Sequence, residues 1–506
     1  SSVKSPETTH ACMRWLKGHG RRLKTRAKWD LNHSSFFTKD KQFYKTLFSM
    51  LAMISLQNLV AFSVNMADNI MLGSYSQNAL SGAATVNQIF FVVQQTALAI
   101  GSALVTISAQ YWGQEHPDPI RALTAIALKI AAVIGIVFVM ICLILPGSLL
   151  RIFTPEEAII TEGKAYLSII LWTFLLFMLT NVLMAALRAV GTVRISFYIS
   201  IMSLVVNTGI NYVLIFGKLG FPEMGIRGAA IGTLISRILE FLVIVIYLLW
   251  FDPKLNLFGA SWLRHKKEYL SHDKGSLYDD KGWLRHDKKL FRDYVKIALP
   301  VVGSSVLWSF SVPLQTAILG HLSTDAIAAN SVATTFYQYL KVIIRAMSAT
   351  SAVMIGHSIG KGDLERVKSD GRTLCVIDVS LGVIMGGLLF VLRHPLLSLY
   401  AGSFQESALV MADHLLIIMS VVMVGMSYQM PVISGIIQGG GDAVWCMKVN
   451  LISVWLVVVP LSIMAAFWWK LPVEWVVLCV QSDQIFKGLP AFLHFRKYKW
   501  AKILTR

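Results

Sequence analysis

Val133-Ile-Gly-Ile-Val-Phe-Val-Met-Ile-Cys-Leu-Ile-Leu145 is an unbroken apolar run. It lies inside a longer segment, 122–148, that holds one basic residue, Lys129. A helix needs about 20 mostly apolar residues to cross a bilayer. A strand reading fails, because the residues do not alternate and the run is too long. The same pattern recurs at 47–72, 86–112, 162–187, 195–217, 229–250, 296–320, 330–358, 374–396, 408–437, 446–469 and 472–492. The sequence therefore predicts an all-α polytopic membrane protein with twelve transmembrane helices. The whole composition agrees. Of 506 residues, 55% are hydrophobic and 15% charged. A soluble domain carries about 25% charged residues. Mean hydropathy is +0.61. The chain is too apolar to be disordered and too poor in charge for a soluble enzyme of this length.

The net charge of +18 admits two partners, nucleic acid or a membrane. The placement of the basic residues decides. Of 46 Lys and Arg, 36 lie in the N-terminal arm, the 254–296 segment, the C-terminal tail and the short loops on the same side. The opposite side holds only Arg151, Lys164, Lys218, Arg227, Arg393 and Lys470. The positive-inside rule then predicts cytoplasmic termini in a plasma (inner) membrane protein. Nucleic acid is not an expected partner. The arm shows no signal peptide, and Arg21, Arg22, Lys24, Arg26 and Lys28 suit a solvated arm or anionic lipid head groups. Cys12, Cys142, Cys375, Cys446 and Cys479 have no spaced pattern, so neither disulfides nor a zinc site is expected.

The chain repeats itself. Asn69-Ile-Met-Leu-Gly73 returns 247 residues later as Thr316-Ala-Ile-Leu-Gly320. At the same offset Ser76 falls on Ser323, Ala79 on Ala326 and Gly113 on Gly360. Leu187-Arg-Ala-Val-Gly191 is echoed by Ile437-Gln-Gly-Gly-Gly441. Each half has six spans, an even number, so the halves share one orientation. Such parallel repeats typify secondary transporters, with substrate bound between halves that rock. The predicted layout is a basic arm (1–46), an N-terminal six-helix lobe (47–250), a linker (251–295), a C-terminal six-helix lobe (296–492) and a tail (493–506). No P-loop, His cluster or nucleophile elbow supports ATP-driven transport or enzyme activity.

Ionisable residues inside spans are costly and mark function by default. Asp68 lies near the outer end of span 1, on one face with Asn58 and Asn65. Span 5 carries a stripe of Ser196, Ser200, Ser203, Asn207 and Asn211. Asp68 and Asn211 fall at similar depth, about 8 Å below the outer boundary. A carboxylate facing two amides can hold a proton or Na+, so Asp68 would be the metal ligand if the ion is Na+. Plain interhelical bonding is the competing reading, above all for the asparagines. In the second half Gln315 aligns with Asp68. Span 8 carries Lys341 and Arg345, one turn apart and one turn past Tyr337. They have no local acid; they line the cavity and attract anions, or they pair with Asp483 of span 12, which lies at similar depth. Asp483 with Lys487, and Arg237 with Glu240, have the spacing of local helix pairs. The 20 Met residues suit a promiscuous surface, though ordinary core filling explains most single ones.

These residues resemble the MATE (multidrug and toxic compound extrusion) family from Tyr44 to Trp500. The most specific match is Asn207-x-x-x-Asn211-Tyr-Val-Leu-Ile-Phe-Gly217, continued by Gly220-Phe-Pro-Glu-Met-Gly225-Ile-Arg-Gly228-Ala-Ala230. Ala67-Asp68-x-x-Met71-Leu72-Gly73, Ile437-Gln438-Gly-Gly-Gly441-Asp442 and Lys497-Tyr-Lys-Trp500 support it. The resemblance implies a MATE-like fold and a polyspecific efflux antiporter, driven by Na+ or H+, without a cofactor. It implies that Asp68, Asn207 and Asn211 form the cation site. Carboxylates that NorM-like branches carry in spans 7 and 10 fall at Trp308 and Ser427, so that second site is expected to be lost. A proline early in span 1 is replaced by Met53, while Pro300 keeps its repeat position. Small organic substrates, surrounding lipids and a monomeric state are the expected partners and form. The alternative is a flippase of the same superfamily for lipid-linked saccharides or other anionic lipids, motivated by Lys341 and Arg345.

Overall fold

The computed structural model describes residues 37–257, 288–320, 324–398 and 406–505. The arm's basic cluster, Cys12, Ser323 and the centre of the linker lie outside the described residues. The first half contains α1 (Lys41–Tyr75), α2 (Gln77–Gly113), α3 (Asp118–Ile144), α4 (Pro146–Arg151), α5 (Glu157–Ile170), α6 (Trp172–Ala189), α7 (Arg194–Ile215) and α8 (Ile226–Trp250). The second half contains α9 (Lys288–Gly320), α10 (Thr324–Gly360), α11 (Leu364–Ser398) and α12 (Glu406–Met430). It continues through α13 (Ala443–Leu451), α14 (Val459–Ile463), α15 (Val473–Gln481), α16 (Asp483–Phe486) and α17 (Gly488–Arg496). Among the described residues there is no strand.

Eleven of the described helices are long and apolar enough to cross a membrane. The fourth apolar run, 162–187, folds as α5 and α6 with a break at Leu171. The last run is broken into α15, α16 and α17, which stack end to end at Ser482 and Lys487. π-helical turns at Pro431–Ile437 and Ile452–Val458 join α12 and α13 to their continuations. Pro431 removes one backbone donor, and the wider turn accommodates it. Helices α1 and α9 start at Lys41 and Lys288, several residues before the apolar runs predict. Polar first turns extend each helix beyond the apolar run. Asp40 caps α1 by accepting from the Gln42 amide at 2.9 Å.

The opening stretch shows why this pattern needs lipid. Val133, Ile136, Val137, Met140, Ile141 and Ile144 form an exposed stripe down α3. Val133 is 62% and Ile144 68% exposed, which water would not tolerate over a whole helix face. The opposite stripe is small: Ala127, Ala131, Gly135 and Cys142 are buried. A Cβ on Gly135 would sit 3.1 Å from Leu175. Small residues let α3 and α6 pack closely, as membrane helices do.

The two halves meet at the end that carries the basic loops. Gly113 ends α2 and Gly360 ends α10, and a Cβ on Gly113 would lie 3.0 Å from the Gly360 Cα. These are the repeat-related glycines predicted from the 247-residue offset. Side chains larger than hydrogen would drive the helix ends apart. Tyr294 donates to the Ile100 carbonyl at 2.9 Å, and Gln438 donates to Ser102 at 2.7 Å. The tail after α17 then straps the junction. Trp500 is fully buried against Gly440. Gln110 donates to the Lys502 carbonyl and accepts from the Leu504 amide. The Lys502 ammonium pairs with Asp442 at 2.8 Å. Gly441, at φ +102°, turns the chain beneath Leu504, where an L side chain would be strained.

Candidate functional site

Helices α1, α7 and α8 bring the site together in the first half, at the end away from the basic loops. Asn211 donates from Nδ2 to Asp68 Oδ1 at 2.6 Å. The same nitrogen donates to Asn207 Oδ1 at 3.2 Å. Asn207 in turn donates to Thr233 Oγ1 at 3.2 Å. Asn207 and Asn211 sit one turn apart, so their carboxamides stack on the face of α7 that meets α1 and α8. Both are buried, at 1% and 0% exposure, whereas Asp68 is half-buried. A buried amide must find partners, because each unmade bond costs about 1–3 kcal/mol. The Asn211 nitrogen thus has two acceptors, while its Oδ1 is buried with no hydrogen-bond partner among the described residues.

Two residues of α8 make this geometry possible. Gly232 faces the Asn211 Oδ1 so closely that no side chain fits between them. Thr233 ends the donor chain. Tyr166 of α5 stands within electrostatic reach of Asp68 and within hydrogen-bonding reach of Thr233. The charge of Arg237 also reaches Asp68. Arg237 is held by Glu240 at 2.7 Å and lies 5.0 Å above the Phe177 ring. The predicted local pairing of Arg237 with Glu240 is therefore present. Gly232, Thr233 and Tyr166 carry no sequence signal, because a glycine, a threonine and a tyrosine are ordinary in any span. Asn58 and Asn65, expected to line the cavity or contact substrate, lie on α1 outside this bonded set. Asn65 is exposed and Asn58 half-buried, and no hydrogen bond among the described residues joins either to Asp68.

The second half is arranged differently. Gln315 is half-buried on α9. Trp308 packs across to Phe91 of the first half, with ring centroids 6.0 Å apart. Ser427 is buried and donates to the Val424 carbonyl, with Gly382 pressed against its hydroxyl. Neither position offers a carboxylate. Lys341 lies 5.7 Å over the Tyr337 ring, and Tyr337 donates to the Met426 sulfur at 3.2 Å. Lys341 and Arg345 are half-buried. Asp483 pairs with Lys487 at 2.8 Å, the local pairing expected from their spacing, and its charge also reaches Lys341. One acid absent from the predicted set is Asp378, inside the ninth apolar run. It is fully buried on α11, and neither oxygen has a hydrogen-bond partner. Its position in an apolar run was legible; its complete enclosure was not.

No cluster of three or more His, Cys, Asp or Glu side chains able to hold a metal occurs among the described residues. The first-half site offers one carboxylate with amide and hydroxyl neighbours. Such a site can take up and release a single small cation.

Comparison with known proteins places this geometry. The MatE family model matches residues 54–213 and again 300–464, once in each half. A probable multidrug resistance protein NorM from Thermotoga maritima is 25% identical over 457 residues, covering 89% of this chain and 92% of that protein. A probable multidrug resistance protein YoeA from Bacillus subtilis is 24% identical over 404 residues, covering 78% and 81%. Among solved structures, the Vibrio cholerae MATE transporter VcmN, as a point mutant, superposes with a TM-score of 0.77 at 17% identity, covering 92% and 98%. A MOP superfamily transporter from Pyrococcus furiosus gives 0.76 at 17% identity, covering 93% and 100%. With both halves matched by one family model and the fold shared over nine-tenths of its length, the chain belongs to the MatE family of membrane transporters and is not an enzyme.

Proposed function

We propose that the protein is a cation-coupled efflux antiporter for small organic compounds, with Asp68 as the coupling carboxylate. The observation that carries this reading is the bond from Asn211 to a half-buried Asp68, backed by Asn207 and Thr233. The relatives' names as multidrug resistance proteins support the substrate class. The basic loops support cytoplasmic termini in a cell membrane, by the positive-inside rule. Asp68 then lies toward the outer face. There it takes up a cation, which favours release of the exported compound, and it sheds that cation after the halves reopen inward. Coupling requires only that the two faces differ in affinity for the ion and the compound.

The side chain bonded to Asp68 presents a donor, the Asn211 amide nitrogen. That favours H+ as the coupling ion. Na+ would require Asn211 to turn its oxygen toward the carboxylate, since hard cations bind oxygen. Transport into proteoliposomes tests the reading, with pH and Na+ gradients imposed separately and a panel of cationic and anionic dyes. Asp68→Asn is expected to abolish gradient-driven transport at unchanged protein level. Undiminished transport by that variant would sink the assignment.

A further inference from the structure

A second polar site lies at the opposite end of the same helix pair. A cavity of about 480 Å³ opens between the start of α1, the α6–α7 turn, the start of α7 and the segment after α8. Its cations are Lys45, Arg194 and Lys254, and Thr46, Ser49 and Thr192 add hydroxyls. Among the described residues no acidic side chain lines it. Lys45 and Arg194 are exposed and form no ion pair among the described residues. Lys254 is held in place by the Val190 carbonyl at 2.9 Å. Asp252, the nearby acid, accepts from the Lys254 and Leu255 amides and its charge partly offsets that of Lys254, which leaves Lys45 and Arg194 as the unopposed cations. The start of α7, which has no side-chain cap at Val193, lines this space, and a helix N-terminus favours an anion beside cations.

We infer that this cavity binds the phosphate head group of an anionic phospholipid from the leaflet on the basic-loop side. The chemistry alone would suit any phosphate ester. Placement selects a lipid. The cavity sits where α1, α7 and α8 enter the membrane. Tyr198 both lines it and stands 62% exposed on the outer surface of α7. Ile201 and Val205 continue that exposed stripe at helical spacing, with Val205 at 66%. Acyl chains can follow this stripe while the head group occupies the cavity. Basic pockets between spanning helices are the setting in which anionic head groups bind. A lipid seated here touches the basic-side ends of α1 and α7, whose far ends carry Asp68 and Asn211. The inference needs neither the coupling ion nor the exported compound to be known.

Native mass spectrometry of the purified full chain tests it. The chain is titrated with phosphatidylglycerol, with phosphatidylcholine and with inorganic phosphate. Phosphatidylglycerol should be retained in preference to phosphatidylcholine, and inorganic phosphate at matched concentration should not displace it. The double variant Lys45→Gln with Arg194→Gln should bind phosphatidylglycerol about thirtyfold more weakly, as losing two membrane-surface cations implies. Lys470→Gln, on the opposite side, should change nothing. If the double variant does not fold, Lys45→Gln alone carries the test, with a loss of about fivefold. Equal retention of the two lipids, unchanged binding in the variants, or displacement by inorganic phosphate would each overturn the inference.

Discussion

The two halves share a fold but not a polar centre. The first half pairs its acid with one amide from a neighbouring helix and leaves it half-buried. The second half has Gln315 at the aligned position and seals its own acid, Asp378, among packed helices. What the halves keep in common is backbone contact: Gly113 and Gly360 still meet at the end that carries the basic loops. Symmetry has survived where the halves must fit together, and has been lost where a cation is handled. On the proposed function, coupling would belong to the first half alone, with the second half as its framework.

That comparison is open to direct attack. The largest effect is expected at the amide behind the acid. Asn211→Ala removes the donor to Asp68, and gradient-driven dye transport should fall at least tenfold. Gln315→Ala, at the repeat position of Asp68, should leave it within about twofold. A reversal of these two results would move the coupling centre into the second half. Next comes the shared contact. Gly360→Val places methyl groups where the Gln110 carbonyl and Gly113 lie, and overpacking of this kind costs about 1–3 kcal/mol. Thermal unfolding of the purified variant should show the loss, and an unchanged midpoint would mean that the halves do not need to touch there.

The smallest effect concerns the tail. Burial alone would raise the Asp442 carboxyl, but hydrogen bonds and charge from Lys502 and His494 outweigh it and hold it below the ordinary carboxylate value. A depressed value means the stabilisation is present above the unfolded value, about 4, and is lost as pH falls through the folded value. Protection of the amides of residues 497–505 against hydrogen exchange, measured relative to the intrinsic exchange rate at each pH, should therefore be high at pH 7 and fall below about pH 4. Lys502→Ala should lower it modestly at neutral pH, since a half-exposed pair contributes about 1 kcal/mol or less.

Much of the architecture was written in hydrophobicity alone. The run at Val133–Leu145, the basic loops and the 247-residue echo were enough for the helical class, the two halves and the Gly113–Gly360 correspondence. The breaks at Leu171, Ser482 and Lys487 were not legible, because local apolar content does not report where a helix bends. At the site, Asp68, Asn207 and Asn211 stood out as polar groups in an apolar background. Gly232 did not, since its role is the absence of a side chain opposite Asn211. Asn58 and Asn65 shared the helical face of Asp68, yet a shared face does not set which neighbour closes on it. The cavity between Lys45, Arg194 and Lys254 joins residues up to 209 positions apart, a proximity that only folding creates.

On the proposed function a cation moves through Asp68. This is tested most directly by following internal pH in proteoliposomes while an outward gradient of a transported dye is imposed. The wild-type chain should move protons against the dye, in proportion to dye flux. Asp68→Asn should allow dye exchange without proton movement. Dye-coupled proton movement that persists in Asp68→Asn would contradict the account.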